Sequence, residues 1–162
     1  MKKQFLIVTA LITLYSCGNS PLLNHDKADN LKNNQIAVAD ENCPLSYPDV
    51  DGRDLCAKIF WIVGPSRPNE NSFTLKFWDK EIGSADSGPY VDPGHDVFVL
   101  PWMVMDNGHE HGTSPVTISE DDVGIYNVTR LFFIMAGRWQ IHVQLKDGDT
   151  VVKSAMQHVD IR

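Results

Sequence analysis

Beyond residue 42 the apolar positions recur with a period of two. Trp139, Ile141, Val143 and Leu145 alternate with Gln140, His142, Gln144 and Lys146, which predicts a strand with one buried and one wet face. Phe73, Leu75 and Phe77 alternate with Thr74 and Lys76 in the same way, and Trp78 closes that run. Ile59 to Val63 is continuously apolar and stops at Gly64-Pro65, as expected of a strand covered on both faces. Val97 to Val104, Val116 to Ser119, Tyr126 to Met135 and Val151 to Val159 complete the series, rich in the branched and aromatic residues that suit a pleated surface. Asp147-Gly148 marks a hairpin between the last two strands, because both residues tolerate positive φ. No long helical period competes and no internal repeat stands out. About seven strands at this spacing predict an all-β, immunoglobulin-like antiparallel sandwich.

The N-terminal pattern is different. Lys2 and Lys3 precede an apolar run from Phe5 to Tyr15 broken only by Thr9 and Thr13. That run is shorter than the ~20 residues a membrane-spanning helix needs, and residues 1–16 have the layout of a secretory signal. Leu14-Tyr15-Ser16-Cys17-Gly18 resembles a bacterial lipobox, whose Cys receives acyl chains and becomes the mature N-terminus. Tyr15 is bulkier than the residue usual at its place. The expectation is a lipoprotein of the bacterial cell envelope, anchored through Cys17 and facing the periplasm or exposed at the surface; ordinary signal cleavage is the competing reading. Residues 17–42 read as a flexible tether, rich in Asn and poor in large apolar residues. A short docked helix over Leu31 to Ala39 fits that stretch without being required by it. Residues 43–162 then suit one domain of ordinary size.

Cys43 and Cys56 are the remaining cysteines. Export implies an oxidising compartment in which they pair, closing a loop near the 15-residue case worth ~3 kcal/mol by chain entropy. A dithiol metal site is the weaker alternative, since no further cysteines accompany them. Between them Asp49-Val50-Asp51-Gly52-Arg53-Asp54 lacks the terminal Glu of a calcium loop and reads as an acidic turn.

Loss of the signal changes the charge. The 14 basic residues fall to 12 against 21 acidic ones once Lys2 and Lys3 are removed. A surface this acidic argues against nucleic acid as a partner. It argues equally against electrostatic adhesion to anionic lipid, so contact with the membrane falls to the acyl chains on Cys17.

The densest candidate chemistry is Pro101 to Val116, P-W-M-V-M-D-N-G-H-E-H-G-T-S-P-V. In an extended backbone Met103 and Met105 share a face, as do His109 and His111 beyond the Asp106-Asn107-Gly108 turn. Thioether and imidazole together make a soft donor set suited to copper. The same pattern fits a Met pair filling the core and a His pair on a solvated loop. Met103 and Met105 have the parity of Val97 and Val99, so a regular strand aims them inward, whereas a bend at Pro101 re-aims them. His95, in the turn after Asp92-Pro93-Gly94, is the next candidate ligand if the loops converge. Trp102 serves either as a core anchor or as a cation–π cap on a metal. His142, on the polar face of its strand, reads as a solvated residue. His25 and His158 carry less weight.

A family resemblance adds to this. Tyr126-Asn127-Val128-Thr129 leading to Phe133-Ile134-Met135-Ala136-Gly137-Arg138-Trp139-Gln140-Ile141 resembles the closing signature of YtkA-like domains, small exported β-sandwiches related to the nitrogen-fixation protein FixH. Trp102-Met103 and Gly108-His109-Glu110-His111-Gly112-Thr113-Ser114-Pro115-Val116 are similar to the Met-rich and Gly-His-Gly segments of that family. Here Glu110-His111 stands where a plain Gly is common, and Ala136 where Pro is frequent. The resemblance runs from about Ile59 to Ile161. It implies the sandwich fold and, for some relatives, copper handling or respiratory-oxidase assembly.

No catalytic constellation accompanies these features. G-x-S-x-G and phosphate-cradling loops are absent, and pairing removes both downstream thiols as nucleophiles. Ser119-Glu120-Asp121-Asp122 reads as a solvated turn, and His109-x-His111 supplies two of the three fixed ligands that hydrolytic zinc needs. The chain is therefore expected not to be an enzyme. Two functions remain: a copper-binding carrier or metallochaperone, and a non-metal protein-interaction or envelope assembly module contacting a protein partner through the 101–116 loop.

Overall fold

Strand patterning is realised along the whole domain. The computed structural model describes residues 40–162; residues 1–16, Cys17, His25 and the tether to residue 39, with the helix considered there, lie outside the described residues. Among the described residues there are nine strands and no helix: β1 (Leu45–Val50), β2 (Arg53–Val63), β3 (Asn71–Asp79), β4 (Asp96–Val104), β5 (Glu110–Gly112), β6 (Thr117–Asp122), β7 (Ile125–Leu131), β8 (Gly137–Asp147) and β9 (Thr150–Ile161). They form two antiparallel sheets, ordered β1-β2-β3-β7-β6 and β5-β4-β8-β9. The inner faces share one core that includes Leu55, Phe73, Phe77 and Val128 from the first sheet and Val99, Trp139, Ile141 and Val143 from the second. This is the expected sandwich, with nine strands rather than about seven.

The two additional strands have physical reasons for escaping the pattern. In β1, Leu45, Tyr47 and Val50 point inward, but a register irregularity between Tyr47 and Val50 breaks the alternation. The three residues of β5 include no large apolar side chain, and they are strand only by pairing with β4. The acidic turn expected after β1 is present. Asp51 and Gly52 both have positive φ (51° and 78°) between the paired Val50 and Arg53, which matches the twist of the flanking strands.

Four expectations need correction. The run Ile59 to Val63 is covered on one face only: Phe60 lies half-buried beneath the Lys58 and Lys76 ammonium groups, and Ile62 and Val63 are exposed. The strand expected over Tyr126 to Met135 ends at Leu131. Arg130 takes positive φ (59°) and its N–H turns to the Glu70 carboxylate (2.8 Å), after which Phe133 folds back onto Trp139 at 5.3 Å between ring centroids. Glu120, Asp121 and Asp122 lie on exposed edge strand β6 rather than in a turn, where charge discourages pairing with another chain. The last hairpin is where Asp147-Gly148 placed it, but Asp147 pairs with Thr150, so the turn centres on Gly148-Asp149.

Cys43 and Cys56 are disulfide-bonded, with Cα atoms 5.1 Å apart. The bond joins the entry to the domain to β2, which also carries Trp61. It is packed with Trp78, Ala85 and Tyr90 in a second, smaller core. Asp40 begins this entry by accepting the Cys43 N–H (2.8 Å). No helix among the described residues is long and apolar enough to cross a membrane.

Candidate functional site

β4 passes through Pro101 without losing register. Asp96 to Trp102 pair residue by residue with Lys146 to Gln140 of β8, including Pro101 with Ile141. No bend re-aims the methionines, so Met103 stays in phase with Val99 and belongs to the core, 8% exposed. Its methyl group packs over Gly137, where an added Cβ would collide with it. Met105 is half-buried against the same core.

Beyond Met105 the chain reverses in a three-residue loop. The Met105 N–H donates to the His109 carbonyl (2.8 Å), and the Gly108 N–H donates to the Met105 carbonyl (2.9 Å). Gly108 supplies the positive φ of 81° that such a bulged hairpin turn demands. The Asn107 side-chain oxygen accepts the His109 N–H (3.0 Å). On the returning strand β5, His111 pairs with Met103 and Gly112 with Trp102.

Residues directly opposite in an antiparallel pair share a face. Met103 and His111 are therefore neighbours on the inner side, and Met105 and His109 close the hairpin beside them. Burial falls from Met103 through the half-buried Met105 and His111 to the exposed His109. Among the described residues no three His, Cys, Asp or Glu side chains gather as a metal-binding group, so a site here depends on thioether sulfur.

Met135, not singled out from sequence, packs at this end as well. It precedes Gly137 by two residues, and its carbonyl accepts the Trp139 indole N–H (3.1 Å). Only the β4–β8 pairing reveals that proximity. Trp102 is neither core anchor nor lid over the sulfurs. It lies on the outer face, its ring carbon 3.1 Å from where a Gly112 Cβ would stand.

His95 is not brought to the cluster. It lies just before the first residue of β4, and strand geometry separates it from Met103 by roughly 25 Å. There its Nε2 is 3.5 Å from Asp51 Oδ2, beside a cleft lined by Asp92, Asp96, Glu120, Tyr126 and Asp147. Burial, then the charges of Glu120, Asp92 and Asp96, push the Tyr126 phenol up to about 12. His142 also departs from expectation. It is buried (6% exposed), with Gln144 (4%) beside it on the face expected to be wet. Burial first, and the nearby His158 second, lower its imidazole to about 4.

A family model described as YtkA-like matches residues 63–144, a span that holds the whole β4–β5 hairpin. No curated protein and no solved structure matches the chain.

Proposed function

The chain belongs to the YtkA-like family, and from that premise we propose that it is an exported, lipid-anchored copper carrier or metallochaperone without catalytic chemistry. The observation that carries this reading is the β4–β5 register, which sets Met103 against His111 and ties Met105 to His109. Two sulfurs and two imidazoles on one hairpin favour Cu(I), which prefers few, soft ligands. Cu(II) would rest on the imidazoles of His109 and His111. The signal-like residues 1–16 and the lipobox-like Cys17 support delivery in the envelope.

The test is titration of the full chain with Cu(I) and Cu(II) in competition with a chelator. His109→Ala/His111→Ala should weaken both ions, and Met105→Leu should weaken Cu(I) alone. Met103→Leu conserves volume and costs less than about 1.5 kcal/mol of stability, so its effect on Cu(I) is readable in a folded protein. Unchanged Cu(I) competition in all of these folded variants rejects the site. The exposed Ile62, Val63, Phe132 and Ile134 around the same end favour the second reading, an assembly module whose protein partner covers them. That reading gains if no copper is held.

A further inference from the structure

The outer face of the second sheet carries another His and Met group. Ala155 and Val159 of β9 are buried in the core, so Met156 and His158 point outward. The β8–β9 register pairs His142 with Met156 and Gln140 with His158. Directly opposed side chains stand ~5 Å apart at Cβ and diagonal ones ~7 Å, so His142, Met156 and His158 form a compact triangle. β4 flanks it with Leu100 opposite His142 and Trp102 opposite Gln140.

We propose that His142, Met156 and His158 form a second soft-metal site, on the outer face of the β5-β4-β8-β9 sheet, that takes Cu(I). Two imidazoles and one thioether satisfy a low-coordinate soft ion and contain no carboxylate to attract hard cations. His142 Nε2 lies 2.9 Å from Gln140 Oε1. In the tautomer whose Nε2–H donates to that oxygen, Nδ1 keeps its lone pair for a metal. A ligating His normally has its second nitrogen held in this way, which fixes the ring and raises ligand basicity.

This site shares no ligand with the hairpin, because Met103 and Met105 lie on the opposite face of β4. The test is the Cu(I) stoichiometry and chelator competition of the full chain, with the ring protons of His142 and His158 followed by NMR. Two equivalents are expected. His109→Ala/His111→Ala should remove one, and His158→Gln or Met156→Leu should weaken the other on the order of tenfold or more. Those two positions are exposed or half-buried, so they carry the test even if His142→Gln fails to fold. A wild-type competition curve in both variants, with unshifted His142 and His158 rings, overturns the proposal and leaves the hairpin reading standing. Loss of all copper in the outer-face variants, with none lost in the hairpin variants, supports this site and rejects the hairpin.

Discussion

Asn71 is fully buried, and its side chain holds a loop together. Its Oδ1 accepts the Ser66 N–H (2.7 Å), and its Nδ2 donates to the carbonyls of Ser66, Asn69 and Leu131 (2.8, 3.0 and 3.2 Å). Gly64 leaves room for that amide, since a Cβ there would meet Asn71 Oδ1. Asn71→Leu strands several buried backbone groups and should cost about 2–4 kcal/mol. A denaturant midpoint within experimental scatter of wild type would refute that role. His142 makes a pH prediction of definite sign. Its folded form is held neutral, down to about 4, against ~6.5 in an unfolded chain. Stability is therefore undiminished above ~6.5 and lost as pH falls toward 4, because only the unfolded chain takes up that proton. The loss should be on the order of 2–3 kcal/mol at pH 4. Urea midpoints across this range should fall more steeply for wild type than for His142→Gln, and parallel slopes would remove the assignment. Neither residue was legible as special. Alternation showed that His142 faces away from Trp139, but Leu100 and Met156, the residues beside it, are set by register.

At the scale of elements, long alternating runs were the most legible. β3 follows its period almost to the residue, because it buries one row of side chains, whereas β8 keeps its inner row but buries His142 and Gln144 on the other face as well. β1 and β5 were not, since their pairing comes from the turns beside them. The hairpin shows where sequence reading stops. Parity showed that Met103 and Met105 share a face, and the Asp106-Asn107-Gly108 turn was visible, but loop length decides that His111 meets Met103. His95 failed for the complementary reason: it is near in sequence to β4 but at its far end. Cys43 and Cys56 were readable because few thiols, read with the expected export, leave one pairing, and the bond is present. Non-reducing mass spectrometry should show their peptides joined, and reduction should cost ~3 kcal/mol. Free alkylation of both thiols in the native protein would contradict the bond. Gly108→Ala tests the hairpin without touching a donor. Nothing lies within 4 Å of its Cβ position, so the penalty is backbone strain at φ 81°, about 1 kcal/mol. If the turn sets the donors, Cu(I) affinity should drop in this variant while global stability changes little, and unchanged affinity would detach the site from the loop.

For the whole molecule, the charge decides how the protein can stay at a membrane. Residues 17–162 carry 21 acidic and 12 basic residues, a balance that anionic headgroups repel, so such surfaces offer no electrostatic hold. Among the described residues no helix can serve as an anchor either. Our proposal places the whole of membrane retention on acyl chains at Cys17, and a single chain gives only marginal, reversible binding. Multiple acylation makes a sharp prediction. The native protein should remain with membranes through a high-salt wash and leave them in detergent, and its mature N-terminal peptide should carry the added acyl mass on Cys17. Cys17→Ala should block processing and shift the protein out of the salt-resistant fraction, while residues 43–162 retain the disulfide and the hairpin's copper affinity. Release of the wild-type protein by salt alone, or a mature N-terminus free and unmodified at another position, would end the lipoprotein assignment and leave a copper carrier that diffuses.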